Sequence, residues 1–313
     1  RIIMASAAEV EYTLRGVTQD MRDDGRGRLD FRSISIDVGL FPQCAGSARV
    51  QLGSNDVLVG VVAELDEPDA ATPSAGRVTV TVSLGPSEIS LSSFGGADGG
   101  GTQWLEEALA PLYSHSSIPS ALDALCIVKH VQCWHLRVHA QLLQCDGCPL
   151  DAISLGVKAA LQHTRIPKTS VGPAAGGVAG GAAGTAGGAA QLDLDLDENL
   201  DESIPFEAAG LPAYVTLATV GSHLVADISA KEMPAVGASL SLAINVAGDV
   251  CGIRMAGDFG VNVLLLADML QTARQLVTEL LAAATSAIDA AAAAALARGF
   301  PHADGATLGL LRG

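Results

Sequence analysis

Apolar and polar residues alternate with a period of two in five stretches of the first half of the chain. These are ISIDVGL (34–40), SARVQL (47–52), DVLVGVVAEL (56–65), RVTVTVSL (77–84) and WHLRVHAQLLQ (134–144), and all read as β-strands. GSND (53–56) is a hairpin-turn candidate between the second and third. Two stretches have helical spacing instead. Trp104, Leu105, Ala108, Leu109 and Leu112 share one face, and DAISLGVKAALQ stacks Ile153, Val157, Ala160 and Leu161 behind an expected N-cap at Asp151. Farther along, AYVTLATV (213–220), HLVADIS (223–229), ASLSLAINV (238–246) and DVCGIRMA (249–256) again alternate as strands. An Ala-rich helical region follows from about Leu264 to Arg298.

Strands followed by helix thus occur twice. GSNDVLVGVVAE (53–64) and GSHLVADISAKE (221–232) align without gaps and share Gly, Ser, Val and Glu at the same offsets, which favours a duplicated α+β unit. Residues 171–190 contain only Gly, Ala, Val, Pro and Thr. They offer little side-chain surface to bury and much backbone entropy to lose, so they read as a linker. QLDLDLDENLDES (191–203) alternates apolar and acidic residues and fits either an edge strand or a solvated acidic loop. The expected organisation is a first half at 9–168, a linker at 169–203, a second half at 204–300 and a tail at 301–313. Residues 1–8 are left out of the fold, because Arg1 with Met4 close behind reads as a fragment or an upstream translation artefact.

With 313 residues, 49% of them hydrophobic, the chain can bury a large core. No apolar run approaches the roughly 18 residues of a bilayer span, and RIIMASAAEVEY lacks the parts of a signal peptide. The expectation is a soluble intracellular protein without membrane partners, its six cysteines reduced. The net charge of -16 argues against a stand-alone nucleic-acid binder. That charge is uneven, for between Lys168 and Lys231 there are eight acidic residues and no Lys or Arg.

Candidate chemistry is sparse. Cys145-Asp-Gly-Cys148 has the spacing of a metal or redox pair, yet no second CxxC completes a zinc site, and an Asp-Gly turn joining strand to helix accounts for it better. GGADGGGT (95–102) precedes a helix as phosphate loops do, but has Gly101 where a Walker loop needs Lys. Arg22 and Arg26 flank an Asp-Asp-Gly turn, with Arg15, Arg28 and Arg32 nearby. Six acids in the same region favour internal ion pairing over phosphate contact. Asp227, Lys231 and Glu232 are candidate catalytic groups, and no hydrolase signature accompanies them.

RDDGRG (22–27), GSARVQLGSNDVLVGVVAEL (46–65), CDGCPLDAISLGVKAAL (145–161) and HTRIP (163–167), in this order, resemble the RNase PH fold family, and within it the ring subunits of the eukaryotic RNA exosome. The likeness covers most of residues 12–168 and, more loosely, 205–295. It implies an α+β fold of two pseudo-repeated halves, each a mixed sheet packed on helices, as in ribosomal protein S5 domain 2-like folds. It also implies partners: other RNase PH-type ring subunits, S1/KH cap subunits, a catalytic exosome nuclease, and RNA within the assembly. The implied location is nucleus, nucleolus and cytoplasm. Active members carry a VDLNxEED-like segment with a further Asp six residues on. Here Asp227 and Glu232 fit the first Asp and the second Glu, whereas Met233 and Ser239 stand where the later acids belong, and neither can act as a carboxylate base or hold a metal. GGGTQWLEEAL also lacks the arginines that active members place there.

The expectation is a non-catalytic subunit without a cofactor that binds RNA poorly in isolation. Arg22, Arg26 and Arg32, then Lys129 and Arg165, are the candidate contacts to RNA or a neighbour, with internal or solvated roles competing for each. One alternative is an active phosphorolytic exoribonuclease that recruits Asp249 or Asp258. Another is a zinc or redox protein using Cys145 and Cys148.

Overall fold

A computed structural model describes residues 6–85, 101–172, 193–196, 203–208, 210–257 and 261–297. In chain order the elements are α1 (Ala7–Thr18), β1 (Ile34–Val38), β2 (Gly46–Leu52), β3 (Asn55–Asp66), β4 (Arg77–Leu84) and α2 (Gln103–Leu109). Next come α3 (Pro119–Asp123), β5 (Cys126–Val128), β6 (Gln132–Gln144), α4 (Pro149–Gln162), β7 (Arg165–Ile166), β8 (Thr169–Gly172), β9 (Asp193–Leu196) and β10 (Ile204–Pro205). The last are β11 (Ala213–Val220), β12 (His223–Ala226), β13 (Val236–Ile244), β14 (Val250–Gly257) and α5 (Val263–Ala297).

The first sheet has the order β1-β2-β3-β6-β4, with β5 beside β6, and its β4–β6 pairing is parallel. The second, β12-β11-β13-β14, is antiparallel throughout. Helix α4 lies between them, against β2 and β3 on one side and β11 on the other. Every residue from Pro149 to Leu161 is buried, as a helix sandwiched in a core requires. One of its faces is nevertheless polar. Asp151, Ser154 and Lys158, spaced three and four apart, line up along the helix and bind consecutive groups of the second half. Asp151 accepts from the Thr216 amide (2.9 Å) and hydroxyl (2.6 Å), Ser154 Oγ accepts from the Tyr214 amide (2.9 Å), and Lys158 Nζ donates to the Leu211 carbonyl (2.9 Å). Each buried polar group of this seam therefore has a partner, without which burial would cost about 1–3 kcal/mol apiece.

The two Gly-Ser pairs that align in the sequence occupy equivalent places. Gly53-Ser54 turns β2 into β3, closed by Leu52 opposite Asn55, and Gly221-Ser222 turns β11 into β12, closed by Val220 opposite His223. Both glycines take left-handed φ, +59 and +61, the conformation that a two-residue hairpin with Gly first demands. The acidic alternation is resolved in favour of a strand, since Asp193–Leu196 pairs with Thr169–Gly172.

Three expectations need correction. Asp151 is not an N-cap: Cys148 occupies that position with φ 44 and Pro149 begins the helix, its fixed φ suiting the first turn. Residues 7 and 8, set aside above, begin α1, which is capped reciprocally by Ser6 and Glu9 and packs on β12 and residues 233–235. Helix α5 is by length and composition apolar enough to cross a membrane. However, Met269, Ala273, Val277, Leu280 and Ala284 are buried in the main core, where α5 covers β1, β11 and β13. Residues 95–100, most of 171–190 and 301–313 lie outside the described residues.

Candidate functional site

The first carboxylate of the candidate site, Asp227, follows β12 directly and ends it by adopting φ +46, a conformation tolerated by Asp better than by most residues. This turn drives its side chain inward to complete burial. There it meets residues 20–32, which are folded by short-range bonds of their own. The Gly25 amide bonds to the Arg22 carbonyl, the Arg22 amide to that of Arg26, and the Asp24 carboxylate accepts from Arg26 Nε at 2.6 Å.

Every arginine of this segment that sequence reasoning put forward is turned toward an acid. Arg22 is buried and forks onto Glu232 through Nε (2.8 Å) and Nη2 (2.6 Å), and it also donates to the Ala226 and Asp227 carbonyls. Arg32 gives its amide (2.9 Å), Nε (2.8 Å) and Nη2 (2.6 Å) to Asp227, and Nη1 to Asp146 (3.0 Å). Arg26 Nη1 reaches Asp227 at 3.2 Å, while its Nη2 is buried without a partner. Glu232 is held further by the Ser229 amide and hydroxyl, both at 2.9 Å. Arg22 and Arg32 are therefore ion-paired within the chain. Bidentate pairing fixes their geometry as well as their charge.

Burial pushes the Glu232 carboxyl up, but the bonds from Arg22 and Ser229 outweigh it and hold the group below its ordinary range. Burial would likewise discharge Arg32, and Asp227 and Asp146 keep it charged instead. The other acid near this network behaves differently. Burial, aided by the Asp227 charge, pushes Asp151 up to about 7 despite its bonds from Thr216.

The remaining candidates are scattered. Lys231 is exposed, its nearest acid Asp23 at 3.7 Å. Met233 packs with Val17, Cys148 and Ile228 in a small apolar cluster, and Ser239 lies on β13 with its hydroxyl 3.5 Å from the Ala256 carbonyl. Lys129 and Arg165 are both exposed. Lys129 precedes β6, whereas Asp146, the partner of Arg32, follows it. Thirteen residues of strand separate them by on the order of 40 Å. Arg165 bonds through its amide to Ala45, at the end of β2 opposite the Gly53 turn that adjoins Arg32. The five basic candidates do not form one site.

The Cys145–Cys148 segment is a structural turn. Asn55 accepts from the Asp146 amide (2.5 Å) and donates to the Gly147 carbonyl (2.7 Å), and Asp146 bonds to Arg32 and to the Ala230 amide. Cys148 is buried, which pushes its thiol well up. Among the described residues no group of three His, Cys, Asp or Glu side chains could hold a metal ion. Sequence reasoning missed Asn55, Asp146, Ser154 and Lys158, whose roles depend on contacts between distant segments. It also missed Arg254 of β14, whose guanidinium stacks 4.8 Å from the Trp104 ring centroid and brings a positive charge to α2, a helix with no basic residue of its own.

Residues 30–167 match the RNase PH model, described as the 3' exoribonuclease family, domain 1. A Dictyostelium discoideum protein named, provisionally, exosome complex exonuclease RRP42 is 24% identical over 86% of this chain and 93% of its own. The exosome complex component Rrp42 of Pyrococcus furiosus is 27% identical over 78% of this chain and 80% of its own. Among solved structures, a chain of the Archaeoglobus fulgidus exosome with RNA bound to the active site superposes with a TM-score of 0.67 at 24% identity, covering 87% of this chain and 96% of that one. The overall fold is that of RNase PH, as the resemblance implied.

Proposed function

From the premise that residues 30–167 are an RNase PH domain of the 3' exoribonuclease family, we propose that this chain is a non-catalytic ring subunit of an RNA exosome. It supports 3'-to-5' RNA processing and turnover by completing the ring, alongside other RNase PH-type subunits and with RNA threading the assembly. The observation that carries the reading is the closure of the acidic site. Asp227 and Glu232, the two acids that fit the pattern of active members, are saturated by Arg22, Arg26 and Arg32, and the two remaining positions hold Met233 and Ser239. Each of these carboxylates accepts four hydrogen bonds from within the chain, so its oxygens are engaged by the chain's own donors and a metal or substrate would have to displace them.

Rescue of catalysis by another acid is disfavoured by position. Asp249 sits in the β13–β14 turn beside Asn245, five strand residues and therefore about 17 Å from Ser239. Asp258 lies outside the described residues. The likeness to proteins named Rrp42 along most of their length supports the ring assignment. Affinity purification of the tagged chain from its own cells, followed by mass spectrometry, tests it. Related RNase PH-type subunits and S1/KH proteins are expected in stoichiometric amounts, and recovery of the chain alone would overturn the assignment.

A further inference from the structure

The cysteine pair that the fold brings together is not the one that spacing suggests. Strands β5 and β6 form a hairpin around residues 129–131, and in its antiparallel register Cys126 stands directly opposite Cys133. The Trp134 amide donates to the Leu125 carbonyl at 2.9 Å, which makes Leu125–Trp134 the hydrogen-bonded pair and places the cysteines at the adjoining non-hydrogen-bonded position. There opposed Cα atoms lie about 4.5 Å apart with both side chains on one face, inside the roughly 4.4–6.8 Å range that a disulfide spans. Ile127 is the extra residue of a bulge that fixes this register.

The surroundings give the two thiols different roles. Cys126 is partly exposed and Cys133 buried, so a small reagent meets Cys126 first. Across from Cys133 stands Asp66 of β3. No third His, Cys, Asp or Glu among the described residues completes a metal site with the pair, leaving thiol chemistry as what two opposed cysteines can do.

We propose that Cys126 and Cys133 form a dithiol that a hydroperoxide converts into a cross-strand disulfide, a modification site at the base of the turn carrying Lys129. In the first step Cys126 Sγ attacks the peroxide, the O–O bond breaks, and the products are a sulfenic acid and an alcohol or water. In the second, Cys133 Sγ attacks Cys126 Sγ, the S–O bond breaks, and the hydroxyl leaves with the Cys133 proton as water. Overall, two thiols lose two electrons to one hydroperoxide, giving one disulfide, one alcohol or water from the peroxide, and one further water. Burial raises both thiols. At Cys126 the Lys129 charge opposes this and the Asp123 charge adds to it, and at Cys133 the Asp66 charge adds to it and the Arg77 charge opposes it, so closure is slow at neutral pH and accelerates as pH rises and thiolate forms. The bond would staple loop 126–133 and restrict the exposed turn that presents Lys129.

Trypsin makes the test direct, because cleavage after Lys129 puts Cys126 and Cys133 on separate peptides, the latter within 130–137. The full chain, folded, is treated with hydrogen peroxide at pH 8, its remaining thiols are alkylated, and the digest is analysed without reduction. The expected result is a linked pair of these two peptides with loss of two of the six thiols, formed faster at pH 9 than at pH 7. In Cys126→Ser the link disappears and no other disulfide replaces it. Peroxide that oxidises Cys145 or another cysteine first, or that links Cys126 to Cys133 no more often than in urea-unfolded chain, would overturn the proposal. Phenylarsine oxide, a reagent for paired thiols, supplies a second readout. It should shield Cys126 and Cys133 together from alkylation, and shielding of neither would count against the pair.

Discussion

Arg22 and Glu232 are each buried against the other, and two such charges are tolerable only as a pair. In Arg22→Met the methionine fills much of the space but leaves Glu232 ionised and without its guanidinium, a situation that costs about 3–5 kcal/mol. Urea unfolding of the variant should show a loss of that size, and a change within 1 kcal/mol would mean that the network adds little to the fold. The pair also sets an acid limit. The folded pKa of Glu232 is depressed, so its stabilisation is present above the unfolded value of about 4.3 and disappears as pH falls through the folded one.

Asp151 carries the opposite sign. Its folded pKa of about 7 exceeds the unfolded value of about 3.9, so the folded chain holds a proton that the unfolded chain has released between those pH values. Stability from this group therefore falls as pH rises from 4 to 7 and is level above. Asp151→Asn keeps an acceptor for Thr216 and removes the titration. Its stability relative to the native chain should improve steadily from pH 4.5 to 7, as followed by thermal unfolding at stepped pH, and a constant difference would show that Asp151 stays ionised.

At the scale of elements, the Cys145–Cys148 turn is a place where the two halves press closely together. Gly147 takes φ +86, and a Cβ there would run into the Ile228 carbonyl. Gly147→Ala combines left-handed strain of about 1–2 kcal/mol with that collision and should lower stability by at least about 2 kcal/mol, with circular dichroism melts as the check. A melt unchanged from the native chain would show that the turn can move away from Ile228.

The same elements explain what was legible in the sequence. The strand 77–84 could be read because one of its faces is dry, and alternation records that directly, whereas 213–220 is buried on both faces and was marked by its short apolar, β-branched run. Helix α1 left almost no such trace, since Val17 is its one buried residue. Asp151 resembled a cap because it stands just before an apolar helical run, and nothing local says that β11 lies across it. The Arg22–Glu232 contact spans 210 positions, and the Cys126–Cys133 register depends on a one-residue bulge. The resemblance to RNase PH named the two acids, but only the fold revealed that the chain's own arginines saturate them.

For the molecule as a whole, three arginines spent internally leave a chain of net charge -16 with fewer free cations than its composition suggests. On the proposed ring assignment, affinity for RNA comes from neighbouring subunits and not from this chain. The chain itself has two sheets packed around α4 and two buried acids paired with its own arginines. The most direct test of that account is to incubate the purified chain with single-stranded RNA, magnesium and inorganic phosphate and to measure nucleoside diphosphates by chromatography. No phosphate-dependent release above that of an Asp227→Asn control is expected. Release that requires phosphate and is abolished in the control would contradict it, because Asp227 would then be free to act.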